Sequence, residues 1–181
     1  MTDKRQILID TALQLFYQNG VNSVGINEIL NASGIAKKTL YRHFSGKNAL
    51  ILAVLEQRHR VFTQWLAGVL QGAPSDSEVV ERLFNGLSAW FEGRVSALGN
   101  YRGCFFINTC AELGDTDSEI SQFCQYHKRQ VRQLIGESLG GKNNETLLDA
   151  ICLLKEGAIS AAYVAQDKWA PDACIRILRA L

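Results

Sequence analysis

No stretch of this 181-residue chain stays apolar for the ~18 residues a membrane helix needs, and no segment alternates apolar with polar residues as a half-buried strand would. The first absence excludes a membrane-spanning helix. Asp10 and Gln14 also interrupt the N-terminal apolar residues before a signal-like core can form, so a cytoplasmic protein is expected. The second absence leaves helices as the only regular structure. Cysteine is present, but Cys104, Cys110, Cys124, Cys152 and Cys174 form no C-x-x-C pair; an odd, scattered set argues for free thiols. A glycine-rich phosphate loop and a nucleophile elbow are both missing, which removes common enzyme signatures and leaves no cofactor implied.

What is present is an uneven distribution of charge. Hydrophobic residues make up 47% of the chain, enough for a sizeable core in one or two domains. The net charge of +1 conceals a basic front: residues 1–60 carry eight Lys or Arg against four Asp or Glu, and residues 61–181 carry eleven against fourteen. A basic segment is the electrostatic footprint of a DNA reader, whose binding weakens steeply with salt. Lys4 and Arg5 are candidate phosphate or minor-groove contacts ahead of the first helix.

Within that segment, residues 25–44 read as two short helices joined by a tight turn. Ile26, Ile29 and Leu30 put apolar side chains on one helical face. Gly25 stands at the cap with no side-chain acceptor, and Glu28 is left to complement the first-turn amides. Ala32 is small enough for a close helix crossing, Gly34 supplies turn freedom, and Ile35 is an apolar plug. A second helix begins near Ala36, with Leu40 and Phe44 on a buried face. Lys37, Lys38, Thr39, Tyr41, Arg42 and His43 remain outside. Cations neutralise phosphates, hydroxyls donate to phosphate oxygens, and arginine pairs with guanine edges. A merely solvated helix face needs no small residue, turn glycine and plug at these offsets.

Residues 4–60 resemble the N-terminal domain of the TetR family of bacterial transcriptional repressors, in its AcrR-like form. The resemblance rests on Ile7, Ala12, Leu15 and Phe16 closed by Asn19-Gly20, on Val24 to Ile29, Ala32 to Ile35, the run Thr39-Leu-Tyr-Arg-His-Phe44, and Lys47 with Ala49-Leu50. It implies that Thr39, Tyr41 and Lys47 hold phosphates while Lys37, Lys38 and Arg42 face bases or flanking phosphates. Gly25 and Leu30 depart from the usual Ser or Thr and Ala. The expected architecture is all-α, about nine helices, with a three-helix helix-turn-helix DNA-binding domain over residues 1–46 and a helical effector-binding and dimerisation domain over 47–181.

In the second region a fourth helix is expected over Lys47 to Leu70 and a fifth over Ser77 to Ala97. A short, buried helix should cover Cys104 to Leu113, and a seventh, opened by a Thr116/Glu119 capping box, should run to Leu139. Gly140 to Asn144 closes it. The last two helices are expected over Glu145 to Gln166 and Pro171 to Leu181, with Pro171 at a first-turn position. Leu147, Ile151, Leu154, Ala158, Ala161, Ala162 and Ala165 form a stripe that becomes small. The resemblance implies a homodimer through these two helices, with Leu154, Ala158, Ala161, Ala162 and Ile177 at the interface, presenting two readers to a palindromic double-stranded operator.

Aromatic residues including Phe62, Trp65, Phe91, Phe105, Phe106 and Tyr163 are numerous enough to line an apolar effector pocket. Phe62, Trp65, Trp90, Cys104, Asn108 and Tyr126 are the candidate effector residues, with Thr109, Glu112, Gln122 and His127 as further polar groups. Cys104 follows Arg102-Gly103 at a helix start, where amides and a guanidinium favour a thiolate. The run Arg102 to Asn108 with Glu112 is similar to a segment in the family branch containing the N-ethylmaleimide-responsive repressor, where a Gly-Cys senses electrophiles or oxidants. Two alternatives stand beside this reading. Cys124 and His127, at i and i+3, could serve a metal-responsive regulator. The same pair, or Glu112 with Asp115, could begin an enzyme site, but no third orienting group accompanies either.

Overall fold

The side chain of Asp3 starts the first helix by accepting the Arg5 amide at 2.9 Å, and Gly20 ends it at φ 87°, a conformation few residues other than glycine adopt. In the computed structural model, which describes residues 3–140, 144–166 and 169–180, this helix is α1 (Lys4–Asn19). Eight more follow among the described residues: α2 (Ile26–Ser33), α3 (Lys37–His43), α4 (Lys47–Leu70), α5 (Asp76–Phe91), α6 (Phe105–Leu113), α7 (Glu119–Ser138), α8 (Glu145–Ala165) and α9 (Ala170–Leu178). A single 3-10 turn covers Ser96–Leu98, and no strand occurs among the described residues. The all-α expectation holds.

Several boundaries differ from expectation for local reasons. Helix α5 stops at Phe91 rather than Ala97, because Gly93 turns the chain at φ 72°. The start of α7 is capped by Ser118, whose hydroxyl accepts the Ser121 amide at 3.2 Å; Thr116 lies in the preceding turn. Helix α6 is not buried all round, since Ile107 is exposed. Helix α8 ends at Ala165 with Gln166 in the left-handed region, and α9 begins at Ala170 with Pro171 in its first turn. Residues 141–143 of the expected 140–144 break, and Leu181, lie outside the described residues.

The chain divides into two compact units: Met1–Arg60 joins Phe105–His127, and Val61–Cys104 joins Lys128–Leu181. In the first unit α1, α2 and α3 pack on one another around Leu8, Ala12, Phe16, Ile29, Leu40 and Phe44. Gly34 makes the turn between α2 and α3 at φ 67°, and Ile35 is buried beside it. Ala32 is exposed, so the crossing of α2 and α3 rests on Ile29, Ile35 and Leu40. In the second unit α5, α8 and α9 pack together, with Leu83, Leu87, Ile151, Ala158, Ala162, Cys174 and Leu178 buried.

A seven-residue helix is too short to be stable alone, so α3 depends on the side chains that dock it. Leu40 is its one fully enclosed residue. Leu40→Ala should lower unfolding free energy by about 2–5 kcal/mol, seen as an earlier midpoint in urea with an unchanged slope.

Candidate nucleic-acid interface and effector site

Docking of Leu40 and Phe44 fixes which way the rest of α3 faces. Lys37, Lys38, Tyr41 and Arg42 are exposed, and Thr39 and His43 are half-buried. His43 leans on Phe44, with ring centroids 6.4 Å apart, and the Arg5 guanidinium sits 5.3 Å from the Phe44 ring centroid. Arg5 is therefore engaged on an aromatic face at the end of α3. Lys47, at the first turn of α4, donates from Nζ to the Asn22 carbonyl at 3.4 Å. The seven residues expected to meet DNA thus lie on α3 and the start of α4, with three cations and the Tyr41 hydroxyl outward along α3 and Thr39 half-buried beside them. No residue among them buries a charge.

The candidate effector residues fall into separate groups. Phe62, Trp65 and Trp90 stack against one another in the second unit, with ring centroids 5.2, 5.7 and 6.4 Å apart. Tyr101 continues the cluster, 5.0 Å from Trp90 and 4.6 Å from Phe91. Phe62 and Trp90 are buried, so this cluster is aromatic core. A cleft of about 610 Å³ in the same unit is lined instead by Phe91, Asn100, Tyr101, Arg102, Tyr163 and neighbours. Asn108 and Tyr126 belong to the first unit; Tyr126 is exposed and leans on His59 and Phe123.

Cys104 is buried, and the cation beside it is one the sequence did not reveal. Lys128 Nζ lies 3.4 Å from Cys104 Sγ and 2.7 Å from Glu156 Oε2, and the buried Lys155 donates to the other oxygen of Glu156. Burial acts to lower the Lys128 pKa, but the Cys104 sulfur and the Glu156 carboxylate outweigh it and raise it. For Glu156 burial acts upward, and Lys155 and Lys128 together pull its pKa below the ordinary carboxylate value. Gly103, at φ 78°, packs under the Tyr163 ring, where a Cβ would come within 3.3 Å. Lys128 and Glu156 are 24 and 52 residues from Cys104, with no spacing signal linking them.

In the first unit His127 is buried, stacks on Phe106 with centroids 3.5 Å apart, and meets His59 Nδ1 to Nδ1 at 3.0 Å. Such a bond needs one ring to donate and the other to accept, so one Nδ1 must be deprotonated. Among the described residues no three His, Cys, Asp or Glu come together as a metal group, so Cys124 and His127 have no third ligand there. Glu112 faces Gly20 and Asn22 rather than Asp115.

The comparisons with known proteins accord with this geometry. Residues 8–54 match the model for bacterial regulatory proteins of the tetR family. Over 161 residues the chain is 34% identical to the transcriptional activator FasR of Mycolicibacterium smegmatis, covering 89% of this chain and 72% of that protein. The chain belongs to the TetR family. This TetR-family regulator is also 26% identical over 149 residues to the transcriptional repressor NemR of Escherichia coli, covering 80% of this chain and 72% of NemR. A TetR-family regulator from Streptomyces coelicolor superposes with a TM-score of 0.85 at 25% identity, over 98% of this chain and 93% of that one. The reduced form of E. coli NemR superposes with a TM-score of 0.80 at 21% identity, over 98% and 96%, a likeness of fold. Family membership makes the protein a transcriptional regulator with a helix-turn-helix reader and sets the enzyme alternative aside. No helix among the described residues is long and apolar enough to cross a membrane.

The histidine pair generates a pH prediction. Burial lowers the His59 pKa from 6.5, so the folded state binds fewer protons at this site than the unfolded chain. Its contribution to stability is present above 6.5 and is lost as pH falls through the lower folded value. The thermal midpoint should therefore fall between pH 7 and 5, and His59→Gln should flatten that fall.

Proposed function

We propose that this regulator is a cytoplasmic homodimeric repressor that sets α3 of each copy into successive major grooves of a palindromic operator and is released when an effector acts on the second unit. The outward row of Lys37, Lys38, Tyr41 and Arg42 on a helix anchored by Leu40 carries the reading. Thr39, Tyr41 and Lys47 hold phosphates; Lys37, Lys38 and Arg42 face bases or flanking phosphates, and His43 borders them.

The dimer face follows from what the monomer leaves uncovered. Ala158 and Ala162 are buried within the chain and Leu154 is half-buried, its carbonyl 3.6 Å from Cys174 Sγ, whereas Ala165 at the end of the stripe is exposed. Leu153, Val164, Trp169 and Ile177 are exposed. Along α8, Leu153, Gly157, Ser160 and Val164 follow helical spacing, giving an apolar edge with small residues at its centre. We assign the interface to this edge with Ile177, and Ala161, half-buried, borders it. Two copies so joined present their readers about 34–36 Å apart or at a multiple of that.

The effector reading centres on Cys104. Two ammonium groups, Lys128 and Lys155, share one carboxylate, Glu156, and Lys128 also donates to the Cys104 sulfur at 3.4 Å. A soft electrophile that alkylates this buried sulfur adds bulk beside Lys128 and disturbs its contacts with Cys104 and Glu156. A reversible small-molecule inducer in the 610 Å³ cleft beside Arg102 is the second reading, favoured by its aromatic walls. Either effector must prefer one arrangement of the regulator, since equal affinity for both would shift nothing.

On DNA from the region upstream of its own gene, Tyr41→Phe and Lys47→Ala should weaken binding broadly, and Arg42→Ala should also relax base preference; unchanged affinity in all three would remove the docking assignment. Leu153→Glu combined with Val164→Glu should give a monomer by light scattering and a large loss of operator affinity. With N-ethylmaleimide, wild type should release DNA and Cys104→Ser should not; equal responses would move the effector site to the cleft.

A further inference from the structure

A carboxylate from α6 occupies the turn that follows α1. Glu112 Oε2 accepts the Asn22 backbone N–H at 2.9 Å, and the Glu112 carbonyl accepts the Asn22 side-chain amide at 2.5 Å. One residue of α6 therefore holds both the main chain and the side chain of Asn22. The space for it exists because residue 20 is glycine: a Cβ there would stand 2.7 Å from Oε2 and 2.9 Å from the carboxyl carbon. On its other side Asn22 offers its backbone carbonyl to Lys47 Nζ at 3.4 Å. All of these residues lie in the first compact unit.

The geometry points to Glu112 as a positioning residue for DNA binding, acting through Asn22 to hold the Lys47 ammonium ready for a phosphate. This inference rests on the reading in which Lys47 is a phosphate contact. An ammonium has three donors, so one hydrogen bond to a carbonyl leaves two for phosphate oxygens. Lysine is flexible and loses rotamer freedom when it docks, and a carbonyl that already holds it reduces that loss. The carbonyl is useful only if the turn carrying it is fixed, and the fixing is done by Glu112. Its negative charge alone would oppose DNA through the long-range field. Removing the charge and removing the tether therefore act in opposite directions, which makes them separable.

The test uses the full-length protein, fluorescence anisotropy on a duplex from its own upstream region, and a salt series. Glu112→Ala should weaken binding roughly tenfold, the worth of one charge-assisted hydrogen bond, and lower the salt slope toward that of Lys47→Ala. Glu112→Gln keeps an acceptor oxygen and should bind as tightly as wild type or more so. In a Lys47→Ala background the weakening by Glu112→Ala should disappear, leaving only the small gain from the lost negative charge. If alanine prevents folding, Glu112→Asp, which withdraws the carboxylate by one methylene, takes its place. Glutamine as damaging as alanine, or an undiminished alanine effect in the absence of Lys47, overturns the coupling while leaving the phosphate reading intact. A Lys47→Ala variant with unchanged affinity and slope removes the phosphate reading and the coupling with it.

Discussion

Burial of Leu40 and Phe44 is the constraint on which the reader depends. Helix α3 has seven residues and no capping side chain, so nothing in its own hydrogen bonding keeps it folded or oriented. Leu40 within it and Phe44 just after it, one turn apart, dock it against α1 and α2, with Ile29 and Ile35 alongside. Once that face is fixed, helical geometry sends Lys37, Lys38, Tyr41 and Arg42 outward together. The outward placement of these side chains is thus a by-product of core packing. Gly34 is required for the same reason, since the turn that sets α3 across α2 passes through a left-handed conformation.

Both units also bury polar groups whose cost has to be offset by specific partners. In the second unit Lys155 and Lys128 share Glu156, and the Cys104 sulfur is the remaining group in reach of Lys128. In the first, His59 and His127 share one hydrogen bond beneath the aromatic face of Phe106. Lys128 and Glu156 are each about one-third exposed while Lys155 is buried, so a change that takes Glu156 from Lys155 leaves a buried charge without its partner. Such clusters therefore suit a protein that must respond to a chemical event. Helix α7 supplies His127 to one unit and Lys128 to the other, so its sequence serves two environments at adjacent positions.

Much of the reader was legible because its signals are local. Gly25, Gly34, Ile35, Leu40 and Phe44 lie within 20 residues, and periodicity alone assigns each a place. The ends of α4 were legible for the same reason, marked by Lys47 and by the Gly72-to-Asp76 break. What could not be read depends on long-range partners. Nothing in the spacing of Cys104, Lys128 and Glu156 predicts that they meet, and Glu112 carried no sign that it would reach Asn22 across 90 residues. The small stripe of α8 was visible, but whether Ala158 and Ala162 face a neighbour in the same chain or a second copy depends on where α5 and α9 pack. Aromatic residues were similarly ambiguous, since Phe62, Trp65 and Trp90 satisfy one another and leave the cleft to Tyr101 and Tyr163.

The central claim is that two outward α3 faces, one from each copy, read a palindrome through the major groove. Methylation protection of guanine N7 atoms, on the chain's own upstream DNA with the purified protein, tests it most directly because that atom is exposed only in the major groove. The account predicts two protected clusters related by a dyad, their centres one or more helical turns apart, both lost together in Arg42→Ala. Specific binding with no guanine protected, or with a single cluster lacking a symmetric partner, would contradict it.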